Sequence, residues 1–410
     1  MPDITLGIFI LTYVGMAIGR IPGLRTDRAG LAAIAAILMI VVNGADLRRA
    51  VGWVDFPTLA LLFGLMVLSG LFGMSGFYDY CAYRITHARG SPQRLLAATI
   101  IVCAALSAVL ANDIVAFAVP PLLCLGLVAR RLDPIPFLIG LAAASNVGSA
   151  ATVIGNPQNI LIGQVGHLDF WRFLAVCGIP ALTGLGIIHA VICWQWRGRW
   201  TLPEASEAGE ATPPRLHRWS LIKALAITAA LLIAFGVGAP RDLSALFAAA
   251  ALFTSRRHET RALVGTVDWS LLILFGGLFI VTGVFADLPD TQQLFRDLVR
   301  QGWLPDRLSV LAPLTLLLSN TIGNVPSDIL LLQVWRQPPQ EALYALALMS
   351  TLAGNLLLTG SLANLIVAER AATVGSRLPF LAHAKAGIPI TILTSTVAGL
   401  WLWLTGVVPF

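Results

Sequence analysis

The sequence predicts an all-α, multi-pass membrane protein: about ten spanning helices plus two re-entrant helical hairpins, arranged as two inverted-topology repeats with one broken helix each. Three observations carry that prediction. Hydrophobic residues make up 57% of the 410-residue chain and charged residues only 12%, roughly half the charged share of a typical water-facing domain. Apolar runs of about 20 residues, each long enough to cross a bilayer as a helix, recur from one end to the other. Polar and glycine residues recur in matched order inside those runs.

The first run, 3–20, has no basic stretch ahead of it and no small-residue cleavage site, so it reads as a spanning helix and not a signal peptide. Further spanning helices are expected at 29–45, 55–77, 135–163, 171–196, 220–238, 241–254, 268–286, 342–368 and 387–408. Segments 95–129 and 308–335 differ. Each reads as two half-length helices broken at a polar point, Ala111-Asn112-Asp113 in one and Gly323-Asn324-Val325 in the other. Each such pair enters and leaves by one face. The implied units are N-terminal helices at 1–53, a first repeat at 54–196, a cytoplasmic linker at 197–219, two connecting helices at 220–266 and a second repeat at 267–410. The linker is rich in Pro, Glu and Ala and reads as a mobile connector.

The net charge of +6 does not point to nucleic acid. The basic residues form short clusters between apolar runs, the pattern of a topology signal. With both termini outside, the inside loops hold 19 of the 27 Lys and Arg residues, including Arg20, Arg25, Arg84, Arg89, Arg94 and Arg256, and the outside holds 8, including Arg336. The expected location is a bacterial inner membrane, with the lipid bilayer as the main surrounding. The five cysteines form no CxxC pair and read as small buried hydrophobes. A P-loop is excluded, because the only lysines, Lys223 and Lys385, do not follow glycine. There is no HExxH, and His189, inside a helix, reads as structural. No enzyme, metal or cofactor is expected.

The repeat is legible in motifs. Val54-Asp55-Phe56 with Phe63-Gly64 recurs as Val267-Asp268-Trp269 with Phe275-Gly276. Ser107 and Asn112 recur as Ser319 and Asn324; Ser145, Gly155 and Asn159 recur as Ser350, Gly360 and Asn364. In the favoured orientation the helix at 55–77 runs inward and its partner at 268–286 runs outward. Inverted repeats interrupted at corresponding places mark secondary transporters.

Those interruptions are the candidate site. The first holds Ser145, Asn146, Ser149, Thr152, Gly155, Asn156 and Asn159; the second holds Ser350, Asn355, Thr359, Gly360, Ser361 and Asn364. Backbone groups freed by a break cannot face lipid and must line a protein-enclosed or watery cavity. Carbonyls freed there suit a coupling cation, and helix N-termini suit an anionic or polar substrate. Close-packed helix interfaces are the alternative reading of the same residues. Asn112 and Asn324 mark the two hairpin tips, followed by Asp113 in one and by Ser327 and Asp328 in the other. Carboxylates at membrane depth are costly and usually functional, so both suit coupling to H+ or Na+. Both also suit a helix start, where Asp caps free N–H groups.

Gly155-Asn156-Pro157-Gln158-Asn159-Ile160-Leu161-Ile162 and Gly360-Ser361-Leu362-Ala363-Asn364-Leu365-Ile366 resemble the ion transporter superfamily. That group holds arsenite-efflux membrane proteins, citrate-type transporters, divalent anion/sodium symporters and sodium/proton antiporters of the same fold. The likeness covers nearly the whole chain and is closest to the bacterial "anion transporter" branch with the citrate transporter-like domain. It implies a scaffold part, a transport part and a homodimer. It also implies one subsite from Asn112, Ser145, Ser149, Gly155 and Asn159, and a second from Asn324, Ser350, Asn355, Gly360 and Asn364. Sodium-coupled dicarboxylate members carry Ser-Asn-Thr at both tips, and here only the central Asn is present. The literal Ser319-Asn320-Thr321 lies about one turn before the tip and reads as a coincidence. Asn112-Asp113 looks more like the arsenite-efflux and proton-coupled members.

The leading functional expectation is secondary-active transport of a small oxyanion or neutral oxyacid, arsenite- or carboxylate-like, coupled to protons or another cation. A second is sodium/proton antiport without an organic substrate. A third makes the chain the membrane subunit of an arsenite pump driven by a separate soluble ATPase.

Overall fold

A computed structural model describes residues 2–18, 26–202, 214–255, 257–300, 305–335 and 338–409. Arg20, Arg25, Arg256 and Arg336 of the charge count, and 203–213 of the connector, lie outside the described residues. The chain opens with α1 (Pro2–Ile18), α2 (Arg28–Val42), α3 (Leu47–Trp53), α4 (Phe56–Met74) and α5 (Phe77–His87). A hairpin of α6 (Pro92–Val109) and α7 (Asn112–Ala129) follows, then the broken pair α8 (Pro134–Ser149) and α9 (Pro157–Val165), then α10 (Phe170–Gln195). The middle holds α11 (Arg218–Gly236), α12 (Arg241–Phe253) and α13 (Thr260–Val264). The remainder begins with α14 (Trp269–Asp287) and α15 (Pro289–Arg300), followed by the hairpin α16 (Leu308–Thr321) and α17 (Asn324–Val334). It closes with the broken pair α18 (Gln340–Ala353) and α19 (Leu362–Ala372), then α20 (Phe380–Leu404).

Among the described residues seven helices, α4, α6, α7, α10, α11, α14 and α20, are long and apolar enough to cross a membrane. Several elements differ from the sequence expectation. Helix α12 has 13 residues, about 20 Å of rise against a hydrocarbon core of about 30 Å, so it does not span alone. The arms of the first hairpin have 18 residues each and are not half-length, because its turn takes only Leu110 and Ala111. The second hairpin keeps short arms of 14 and 11 residues. Helices α3, α5, α13 and α15 were not expected, since helices of 5 to 12 residues leave little trace in an apolar-run reading.

The matched Val-Asp-aromatic motifs prove to be helix starts. Asp55 accepts the Thr58 N–H at 3.2 Å and Asp268 accepts the Leu271 N–H at 3.0 Å, each satisfying a backbone donor that the first turn of its helix leaves free. Helix α4 then packs on α12, and α14 on α2. Gly64 makes the first approach, since a Cβ there would run into the Ala245 carbonyl. In the second, the close residue is Gly277 against the Ala32 backbone, while a Cβ on Gly276 would meet open space. The motif match is therefore one residue out of register at this point. Gly64→Ala and Gly277→Ala should each destabilise by about 1–3 kcal/mol through overpacking, and Gly276→Ala should not, as read by thermal unfolding in detergent.

The hairpins position the breaks. Helix α6 lies on α8 and α16 on α18, while α7 packs on α19 and α17 on α9. Each hairpin thus touches both broken helices. Residues Pro136–Ser149 of α8 and Ala342–Ala353 of α18 are buried throughout, so neither helix is a rod turned to lipid. The described flanks of the connector are pinned rather than loose: Trp200 O accepts the Asp133 N–H at 2.9 Å, and Ser75 O accepts the His217 N–H at 2.9 Å.

Candidate functional site

The first break spans 150–156. Pro157 occupies the first position of α9, where its missing N–H costs nothing. Asn156 caps that helix through Oδ1, which accepts the Asn159 N–H at 2.8 Å. Asn159 spans the gap: its Nδ2 donates to Ser149 O at 3.1 Å and Thr152 O at 3.0 Å. Beyond the end of α8 these carbonyls receive only long backbone bonds, from the Thr152 N–H at 3.5 Å and the Gly155 N–H at 3.4 Å, and the amide adds the shorter ones.

The second break repeats the device. Asn364 Nδ2 donates to Gly354 O at 2.8 Å and Leu357 O at 3.2 Å. Donor and acceptors all sit 205 positions after their counterparts in the first break. Ser361, at the cap position of α19, makes no cap bond and donates instead to Asn146 Oδ1 at 3.0 Å.

The two breaks bond each other. Asn146 Nδ2 donates to Asn355 Oδ1 at 2.8 Å and Asn364 Oδ1 at 3.1 Å. In the other direction Thr351 Oγ1 donates to Asn159 Oδ1 at 3.3 Å and accepts from Asn156 Nδ2 at 3.2 Å. Asn156 Nδ2 also reaches Ser149 Oγ at 2.9 Å. Thr351 was not among the predicted residues. It stands 205 positions after Asn146, and extending the repeat by that one residue would have found it.

The tips close on this network unequally. Asn112 donates its backbone N–H to Gly155 O at 3.2 Å and its Nδ2 to Asn146 Oδ1 at 3.5 Å. Ser145 Oγ donates to Asn112 O at 3.2 Å and lies 2.8 Å from Ser107 Oγ. Gly155 permits the tight fold of the break itself, because a Cβ there would meet the Ser149 carbonyl. Thr152 Oγ1 holds Ala108 O at 2.5 Å. At the other tip Ser327 Oγ donates to Asn324 O at 2.7 Å, but Asn324 Oδ1, Ser319 Oγ and Ser350 Oγ have no partner among the described residues.

Three expectations are corrected here. Asn320, set aside as a coincidence, donates from Nδ2 to Ala353 O at 3.0 Å and its amide oxygen lies over Gly360; one helical turn of offset turns it onto the second break. Thr359 is exposed and joins no bond of the network among the described residues. Neither carboxylate caps a helix: α7 and α17 begin without a side-chain cap bond. Asp328 stands in the second turn of α17, beyond reach of its free N–H groups.

Asp113 is partly exposed and lines a cavity of about 690 Å³ with Asp79, Asp268 and Arg370; the cavity extends to Asn156. Arg370 donates from Nε to Phe117 O at 3.1 Å and lies 4.1 Å from the centre of the Phe117 ring. A second cavity of about 550 Å³ lies between Trp53, Asp55, Val165, Asp287 and Gln333. The two occupy opposite ends of α4 and α14, and only the first touches predicted site residues. Among the described residues no group of three or more His, Cys, Asp or Glu is placed to hold a metal.

A helical membrane bundle with two broken helices bonded to each other in its interior, approached by a hairpin on either side, is the architecture of a transporter. The chain belongs to the citrate transporter family, whose model matches residues 13–337. It is 27% identical to a 46 kDa membrane protein of Mycobacterium leprae, over 98% of this chain and 99% of that one. It is 26% identical to the silicon efflux transporter LSI3 of Oryza sativa subsp. japonica, over 97% and 96%. The fold is similar to the crystal structure of the YdaH transporter of Alcanivorax borkumensis, with a TM-score of 0.56 and 13% identity across 100% of this chain and 99% of that one.

Proposed function

We propose that this membrane transporter is secondary-active and moves a small oxyanion or neutral oxyacid, coupled to protons or another cation. The observation that carries the reading is the bonded pair of breaks, bordered at Asn156 by the cavity that Asp113 lines. Matched bonds at a common offset support two structural repeats (54–196 and 267–410) meeting at this point, and the two cavities at opposite ends of α4 and α14 support their inverted relation. The basic-residue count favours both termini outside an inner membrane. Relatives include a silicon efflux transporter, so silicic acid joins arsenite and citrate as probes.

In proteoliposomes, one of these probes is expected to show flux that depends on an imposed ion gradient. Asp113→Asn and Asn159→Ala should each reduce that flux to the level of protein-free vesicles. Flux untouched by both changes overturns the reading. The carboxylates of Asp79, Asp113 and Asp268 in one cavity support sodium/proton antiport as the second reading. Dye quenching in everted vesicles on adding sodium alone would assign it. A flux that needs a soluble ATPase would assign a pump subunit.

A further inference from the structure

Among the described residues Asp328 is the one carboxylate buried within the helices around the second break, and it caps no helix. It is 0% exposed, and both its oxygens lack a hydrogen-bond partner among the described residues. Helices α9, α14, α16 and α18 pack against α17, and α1 reaches it through the Tyr13 hydroxyl, which donates to Pro326 O at 3.3 Å. The titratable side chains on these helices are Asp3, Tyr13, Asp287, Glu341 and Tyr344, and none of the helices contains Lys, Arg or His. Asp287 is occupied with Trp53 and Arg49, and Glu341 with Arg172. What faces Asp328 is hydroxyl: Ser327 and Ser350.

The first half of the chain shows what the acid changes. There Ser107 and Ser145 bond each other, and the position matching Asp328 at the 212-residue offset of the tips is Ala116. In the second half the matching Ser319 and Ser350 are both unbonded. The acid stands where its counterpart is a methyl group, and the serine pair beside it is open. A bare carboxylate among these helices is a buried unpaired charge. A proton on it removes the charge and provides an O–H donor for Ser350 Oγ.

We propose that Asp328 is the proton carrier that couples transport, gaining a proton from water on one side and releasing it to water on the other as the second hairpin moves. This rests on the secondary-transport reading for the coupling step, and it narrows the coupling ion to the proton. Loading converts the carboxylate to a carboxylic acid, unloading reverses it, and no other bond changes.

Infrared spectroscopy of the purified full chain tests the protonation apart from any substrate. At neutral pH, in the Asp113→Asn background, the carbonyl stretch of a neutral carboxylic acid should be present and should be lost when Asp328→Asn is added. It should shift in Ser350→Ala, which keeps the acid and removes its acceptor. A band that survives Asp328→Asn in the Asp113→Asn background, or that sodium abolishes at fixed pH, overturns the proposal. In proteoliposomes loaded with arsenite, silicic acid or citrate, pH-driven flux in Asp328→Asn should fall to that of protein-free vesicles. Wild-type-like flux in that variant overturns the coupling role. Absence of wild-type flux for all three probes counts instead against the transport reading, and the infrared result is independent of it.

Discussion

Asn146→Ala is expected to abolish transport and to destabilise the purified protein by about 3 kcal/mol or more. The Asn146 amide donates to Asn355 and Asn364 and accepts from Ser361 and Asn112, so it joins both breaks and one hairpin tip. All five side chains are buried. Removing the amide leaves several polar atoms without partners in the interior, and each orphan costs about 1–3 kcal/mol. Asn146→Asp separates the two roles of the group, since it keeps the acceptor, loses the donor and adds a charge. It should fold less well than the wild type and carry no flux. Thermal unfolding in detergent together with vesicle flux makes the measurement. A stability change within about 0.5 kcal/mol, the range of a surface substitution, would show that the two breaks are not held by this residue.

The second large effect is expected at the paired asparagines. Asn159→Ala and Asn364→Ala each remove an amide that satisfies two carbonyls across a break. Each should cost about 2 kcal/mol and eliminate flux, because the loop that forms the site loses its fixed shape. The two residues also belong to one network, through Thr351 and Asn146. Their effects should therefore fail to add, with a coupling of about 0.5–3 kcal/mol in a double-mutant cycle. Simple additivity would mean that the breaks are stabilised independently and only lie side by side.

Much of this site was legible because its signals are local. An amide or glycine inside an apolar run stands out whatever surrounds it, and a proline removes its backbone donor in any fold. Positions 145–159 and 354–364 could thus be read as interruptions from the residues alone, and the matched asparagines identified the two tips. Other signals were ambiguous. Ser319-Asn320-Thr321 sits one turn from a tip, and only the rotation of α16 against α18 decides that Asn320 faces the break. Gly276 and Gly277 are indistinguishable in sequence, and the line of contact with Ala32 selects the second.

The amino-acid order by itself determined that the chain lives in lipid as a helical bundle, and where its helices must break. Those outcomes follow from transfer energies and backbone chemistry that each segment carries alone. Only the tertiary structure decided which freed group meets which partner: that Asn146 bonds residues more than 200 positions away, that Thr359 turns outward, and that Asp328 is left with hydroxyls and no cation. Hydrogen bonds reach about 3 Å, so their pairing is settled by how the helices pack and not by distance along the chain.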